Sequence, residues 1–182
     1  MSAFQRPSTR PYGVAGIDTG VLELGWEMFG ELCRALAVKV SRSGFQPDLV
    51  LGIAKAGVIP GAVVASMLRC DFFSMKISRR AGYERVREKP KILSAAPRQA
   101  SGKSVLIVDE ICTTGETLRI ALNAARNVGP EEIRTATSFV RISGFKPDFY
   151  ALETDDRIIF PWDRQIVGEA GELIDNPLYT EI

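Results

Sequence analysis

The stretch Val105-Leu-Ile-Val-Asp-Glu-Ile-Cys-Thr-Thr-Gly-Glu-Thr-Leu118 decides the fold of this 182-residue chain. Its apolar first half, from Ser104 to Asp109, is typical of a strand that is buried on both faces. Apolar residues at helical spacing follow Thr117 and predict a helix, which Gly129-Pro130 ends. The stretch is therefore a strand, a short polar loop and a helix.

The same alternation occurs elsewhere in the chain. Residues 26–43 carry apolar side chains at helical spacing and end at Gly44, so they predict an amphipathic helix. The apolar run 48–54 predicts a buried strand, followed by a loop and a helix whose first residue is Pro60. Strands alternating with helices through short loops predict an α/β fold with a doubly wound, mostly parallel sheet flanked by helices. Further strands are predicted at 73–77, 133–142 and 148–152.

Composition excludes several kinds of chemistry. The chain has no histidine, which removes Ser-His-Asp and Cys-His nucleophile systems and His-ligated zinc. The net charge of +1 argues against a surface built for nucleic acid or an anionic membrane. Cys33, Cys70 and Cys112 fit neither a disulfide framework nor a CxxC metal site, and we expect reduced thiols. With neither a leader peptide nor a membrane span in the sequence, we expect a cytoplasmic protein without a membrane partner.

Residues 79–103 form an unusually basic segment, with eight cations against two anions. Its prolines and glycines predict a long loop or flap rather than a core element. A solvated charged loop and an RNA-binding stripe stay open as alternatives.

The loop after residue 109 predicts a site for a sugar phosphate. Asp109 and Glu110 can accept hydrogen bonds from the vicinal hydroxyls of a sugar, whereas the unpaired amides at the start of a helix bind phosphate. Threonine hydroxyls add donors, and Gly115 lets the backbone approach closely. The alternative is an ordinary capped helix after a strand, with the two carboxylates merely solvated.

This acidic pair followed by Thr-Thr-Gly-Glu-Thr resembles the signature of the type I phosphoribosyltransferases. The likeness covers roughly residues 22–165 and extends to segments 24–32, 47–54 with Gly57 and Pro60, 146–150 and 160–163, which look like the xanthine-guanine/hypoxanthine branch. It implies a fold with a flexible flap at 79–103 and a small C-terminal hood. The implied division is an arm at 1–22, the phosphoribosyltransferase domain at 23–165 and a tail at 166–182.

The resemblance also implies the roles of individual residues. Asp109 and Glu110 would be catalytic by holding the ribose, and Mg²⁺ would arrive with the substrate rather than at a resident metal site. Arg141, Arg157 and Ile158 would contact the base, with Arg157 at the place where the family usually stacks an aromatic ring. The phosphoribosyl pyrophosphate site would consist of Ala54, Lys55, Ala56, Gly57, Asp109, Glu110, Thr113, Thr114, Gly115, Glu116 and Thr117.

The function so implied is transfer of 5-phosphoribose from phosphoribosyl pyrophosphate to a nucleobase, with release of pyrophosphate. A 6-oxopurine (hypoxanthine, guanine or xanthine) is the expected acceptor, in purine salvage, and a homodimer is expected. The alternative is a regulatory relative that binds nucleotide or RNA through the same pocket without turnover. A dinucleotide-binding domain is disfavoured because no GxGxxG follows a strand.

Overall fold

The computed structural model describes residues 20–81 and 85–179, with the backbone alone over 79–81 and 85–89. The arm predicted at 1–22 therefore lies almost wholly outside the described residues. The elements in chain order are β1 (Val21–Glu23), α1 (Trp26–Arg42), β2 (Leu49–Ala54), α2 (Val58–Leu68), β3 (Asp71–Ala81), β4 (Arg85–Ser94), a 3₁₀ turn (Arg98–Ala100), β5 (Ser104–Cys112), α3 (Glu116–Arg126), β6 (Glu132–Val140), β7 (Phe149–Glu153), β8 (Arg157–Ile159), β9 (Gln165–Val167) and β10 (Leu173–Asp175).

The centre of the fold is a six-stranded sheet in the order β4-β3-β2-β5-β6-β7. Its pairs are parallel except for β3 with β4, so the predicted mostly parallel sheet is confirmed. Alternate residues of β2 and β5 face opposite layers. Leu51 and Ile107 pack with α3 on one side, and Val50 and Leu106 pack with α1 and α2 on the other. Both faces are covered, which explains why these strands read as continuous apolar runs.

Most element boundaries agree with the sequence predictions, with one clear exception in α2. This helix begins at Val58, so Pro60 is its third residue and not its first. The shift is possible because the first four amides of a helix have no partner within the helix, and proline lacks only an amide hydrogen. The bond from Val58 N to the Lys55 carbonyl, 3.2 Å, starts the turn one residue after the loop glycine.

The prediction of a long loop over residues 79–103 is wrong in part. The segment contains β4, which runs antiparallel to β3, and a 3₁₀ turn. The two strands shift register twice, between Lys76 and Ile77 and between Ser78 and Arg80. A charged, proline-containing composition is also typical of an edge strand, because such residues prevent pairing with further chains. Composition alone therefore did not distinguish the edge strand from a loop.

The C-terminal part adds two small sheets that the sequence did not predict. Strand β8 pairs in parallel with β1, and β9 forms a hairpin with β10. An aromatic cluster joins β8 to the main body, with the rings of Phe160 and Trp162 stacked at 4.7 Å and Phe29 edge-on to Trp162 at 4.9 Å. Among the helices of the described ranges, none has the length and apolarity that crossing a membrane requires.

Candidate active site

The candidate site lies at the carboxyl ends of β2 and β5, where α/β sheets bind ligands. Strand β5 pairs with β2 only as far as Val108, opposite Gly52, yet it continues beside β6 to Cys112. The sequence prediction had ended this strand at Asp109. Beyond Val108, the β2 side of β5 is therefore free of strand pairing, and the loop that follows β2 lies there.

Gly57 brings this loop against the acidic pair. A Cβ atom at position 57 would lie 2.7 Å from Oδ1 of Asp109 and 2.7 Å from the carbonyl oxygen of Ile53. Real Cβ atoms do not approach oxygen so closely, so glycine is required by contact and not by an unusual φ. In the same loop the Ala54–Lys55 peptide bond is cis, and the Lys55 side chain is exposed. The structure thus brings the predicted pyrophosphate loop and the predicted ribose carboxylates together.

Asp109 is the buried member of the acidic pair, 7% exposed, while Glu110 is half-buried. The Glu110 amide donates to Asp109 Oδ1 at 3.0 Å. Burial, and after it the neighbouring Glu110 carboxylate, raises the pKa of Asp109 well above its usual range. A carboxylate in this position gains from a ligand that supplies hydroxyl donors or positive charge, since either stabilises its ionised form.

The turn between β5 and α3 presents the start of a helix to the carboxyl edge of the sheet. Gly115 has a φ of 75°, in the left-handed region, and precedes the helix without a side-chain cap. The Glu116 amide makes a long contact of 3.4 Å to Thr114 Oγ1. The Thr113 hydroxyl is buried and has no hydrogen-bond partner in the described residues. Amides and a hydroxyl of this kind are suited to a phosphate group.

A second loop, residues 141–146, braces this turn through Phe145, a residue that the sequence did not single out. Phe145 packs on Gly115 so closely that a Cβ there would meet its ring at 2.4 Å. The Phe145 amide donates to the Thr113 carbonyl at 3.0 Å, and the Cys112 thiol donates to the Phe145 carbonyl at 3.3 Å. The Arg119 guanidinium lies 5.8 Å from the centre of the Phe145 ring. The one available signal was an aromatic residue directly after a glycine in a loop between two strands.

The three predicted base contacts lie near the carboxyl end of β6. Arg141 donates to the Asp156 carbonyl at 2.6 Å, and this bond joins the sheet to β8. Arg157 donates to the Leu178 carbonyl at 2.6 Å. Ile158 is 7% exposed and packs in the aromatic cluster, so a contact between its side chain and a base stays a prediction.

A separate cavity of about 370 Å³ lies at the opposite end of the sheet, beside Phe45 and the start of β6. Its cation, Arg134, is already paired with Glu132 at 2.7 Å and with Asp148 at 3.5 Å. Because the charge there is neutralised within the chain, this cavity lacks the free anion donors that the carboxyl edge offers. The candidate site is therefore the open edge and not the cavity.

Comparison with known proteins agrees with this geometry. Residues 25–170 match the model of the phosphoribosyl transferase domain. The xanthine-guanine phosphoribosyltransferase of Gluconobacter oxydans is 27% identical over 168 residues, 90% of this chain and 91% of that protein. The orotate phosphoribosyltransferase of Staphylothermus marinus is 31% identical over 117 residues, 62% of this chain and 51% of that protein.

Solved structures give the same answer. The crystal structure of a purine phosphoribosyltransferase from Pyrococcus horikoshii superposes with a TM-score of 0.69 at 27% identity, over 82% of this chain and 98% of that one. The resemblance found in the sequence, including that to the xanthine-guanine branch, is thus confirmed. The chain belongs to the type I phosphoribosyltransferase family and is an enzyme of that family.

Proposed function

We propose that this phosphoribosyltransferase transfers 5-phosphoribose from phosphoribosyl pyrophosphate to a ring nitrogen of a 6-oxopurine, in purine salvage. The observation that carries the proposal is the contact of Gly57 with Asp109, which joins two loops of complementary chemistry at one edge of the sheet. One loop offers amides and Lys55 to a diphosphate. The other offers two carboxylates to a ribose and helix amides to its 5′-phosphate.

In this proposal the bond between ribose C1′ and the pyrophosphate oxygen breaks while a bond from C1′ to the base nitrogen forms. The base nitrogen loses its proton to solvent, and pyrophosphate leaves. Asp109 and Glu110 hold the ribose hydroxyls, and their negative charge favours the positive charge that develops on the sugar ring. Lys55 and the loop amides take up charge on the leaving group. The residues therefore act by positioning and electrostatics.

Mg²⁺ fits this donor set as part of the substrate. Among the side chains that the structure describes, no three or more Cys, Asp or Glu residues are grouped so that they could hold a metal ion. Mg²⁺ is commonly bound by one or two carboxylates together with substrate phosphates, and Asp109 and Glu110 offer two carboxylates beside the proposed diphosphate site. When bound, the ion would neutralise charge on the departing pyrophosphate.

The basic segment 79–103 is proposed to cover the site during turnover. Its strand β4 is the outermost strand of the sheet and pairs only with β3, whereas Ala96 and Ala100 near the end of the segment are buried in the core. Closing over the reaction would exclude the water that could hydrolyse the donor. Cations in the segment would also stabilise the charge on pyrophosphate.

A 6-oxopurine is favoured over orotate because the xanthine-guanine relative aligns over 90% of the chain and the orotate relative over 62%. The arginines at 141 and 157 carry donors that a carbonyl oxygen on the base can accept. Homodimer formation and a cytoplasmic location stay predictions.

A pyrophosphate-release assay with Mg²⁺, phosphoribosyl pyrophosphate and a panel of hypoxanthine, guanine, xanthine, adenine, uracil and orotate tests the proposal. We expect turnover with at least one 6-oxopurine, and loss of that turnover in the Asp109→Asn, Glu110→Gln double variant with the fold retained. Wild-type rates in the double variant would contradict the ribose assignment. Binding of the donor by calorimetry without turnover on any base would instead support the regulatory alternative.

A further inference from the structure

The last described residues, Asn176–Tyr179, form a strap that packs on β8, and nothing in the sequence pointed to a role for them. The strap is anchored by Asn176, which is 8% exposed. The Asn176 amide donates to the Arg164 carbonyl at 2.9 Å and its side chain donates to the Asp163 carbonyl at 2.7 Å. Its side-chain oxygen accepts from Leu178 N at 3.1 Å, so the strap is held in one conformation.

The strap holds the side chain of Arg157 from two sides. The Arg157 guanidinium donates to the Leu178 carbonyl at 2.6 Å, and its central carbon lies 4.9 Å from the centre of the Tyr179 ring. A long arginine side chain otherwise loses much of its rotamer entropy when it is ordered. A guanidinium that is already oriented by an aromatic ring and a carbonyl pays less of this cost when it meets a ligand.

Hydrogen bonds of Arg141 connect the segment that carries Arg157 to the candidate site. Arg141 N donates to the Cys112 carbonyl at 3.1 Å, next to the phosphate turn. The guanidinium of Arg141 donates to the Asp156 carbonyl at 2.6 Å, and Arg157 is the next residue. Arg157 is thus connected to the turn that is proposed to bind the 5′-phosphate through Asp156 and two hydrogen bonds of Arg141, one from its backbone and one from its side chain.

We propose that the strap belongs to the base site, with Tyr179 positioning the Arg157 guanidinium as a planar surface against which the base stacks. The ligand is a planar nucleobase joined to a ribose phosphate. This inference rests on the proposed function, since it takes the carboxyl edge as the ribose-phosphate site. Tyr179 is a positioning residue and acts through Arg157. A guanidinium plane can stack on a base as an aromatic ring does.

The test compares equilibrium binding of guanosine 5′-monophosphate with that of ribose 5-phosphate, which lacks the base. The dissociation constant of ribose 5-phosphate divided by that of guanosine 5′-monophosphate measures what the base contributes to binding. We expect Tyr179→Ala to reduce this ratio roughly fivefold, because a cation–π contact of this kind is worth about 1 kcal/mol. Tyr179→Phe keeps the ring and should restore the wild-type ratio. Leu173→Ala, at a side chain 68% exposed on the neighbouring β10, is the matched control and should leave the ratio unchanged.

The steady-state counterpart is a raised KM for the base in Tyr179→Ala with the KM for phosphoribosyl pyrophosphate unchanged. An unchanged ratio in Tyr179→Ala, or equal weakening of both ligands, would overturn the inference while leaving the proposed function intact. If wild type bound ribose 5-phosphate and guanosine 5′-monophosphate equally well, the base would make no favourable contact with Arg157, and the inference would also fail. Failure of wild type to bind ribose 5-phosphate at all would instead refute the ribose-phosphate site itself.

Discussion

Gly57→Ala tests the contact that joins the two halves of the proposed site. The added methyl group would lie 2.7 Å from Asp109 Oδ1, 2.7 Å from the Ile53 carbonyl oxygen and 2.8 Å from Asp109 Cα. Two of these three atoms belong to the backbone, and the third belongs to a buried carboxylate, so none can turn aside as the end of an exposed side chain would.

The size of the effect follows from the distances. Ordinary contact begins at about 3.4 Å, so the loop or β5 must move by about 0.7 Å to admit the methyl group. Overpacking of this kind costs about 1–3 kcal/mol of the free energy of unfolding. A misplacement approaching 1 Å between groups that bind one substrate lowers kcat/KM by about 100-fold. We therefore expect a folded but nearly inactive protein.

Two measurements are needed: kcat/KM from pyrophosphate release, and the free energy of unfolding from urea denaturation. Gly30→Ala is the matched control, because a Cβ at this position in α1 meets no heavy atom within 4 Å. Alanine in a helix interior should leave kcat/KM unchanged and stabilise the protein by about 0.5–1 kcal/mol. If Gly57→Ala kept kcat/KM within threefold of wild type, the close contact would not position the site and the reasoning would be refuted.

Three further predictions concern the same edge and the thiols. Asp109→Asn should lower kcat by at least about 100-fold yet unfold at higher urea than wild type at pH 8. Because the pKa of Asp109 is raised in the folded state, its protonated form stabilises the wild type, fully below the unfolded pKa of 3.8, and this stabilisation is lost as pH rises through the folded pKa. The gain in free energy of unfolding from Asp109→Asn should therefore shrink at acid pH. A gain that stayed constant with pH would contradict this. Phe145→Ala should raise the KM for phosphoribosyl pyrophosphate about tenfold, because the phosphate turn loses the ring that packs on it. Ile142→Ala, at a side chain 59% exposed in the same loop, is the control and should leave this KM unchanged. Equal effects of the two substitutions would show a general loss of loop order. When native protein is treated with a thiol reagent, half-buried Cys70 should react well before Cys33. Cys33 is fully buried, and this burial raises its pKa to about 11. Mass spectrometry of the labelled peptides checks the order.

The parts of the site that were predictable are those contained in one continuous segment. Asp109, Glu110 and the Thr-Thr-Gly turn stand in order along a single strand-loop-helix unit, and local geometry places them together whatever the rest of the chain does. The loop after β2 was predicted to reach the same edge, because parallel strands of one sheet end on the same side. That inference needed the order of elements but no knowledge of individual contacts.

Contacts between distant segments depended on packing and register instead. Phe145 reaches Gly115 because β6 runs beside β5 in one particular register, and Tyr179 reaches Arg157 because a buried asparagine folds the end of the chain back over β8. Residue types carry no signal for such pairings, since the same phenylalanine or tyrosine could pack elsewhere at similar cost. The prediction of a loop at the edge strand β4 was wrong for a related reason. Its strand conformation depends on pairing with β3, and its own charged composition suits a loop equally well. The local sequence therefore determined the chemistry at the carboxyl edge, and tertiary packing decided which side chains hold it in place.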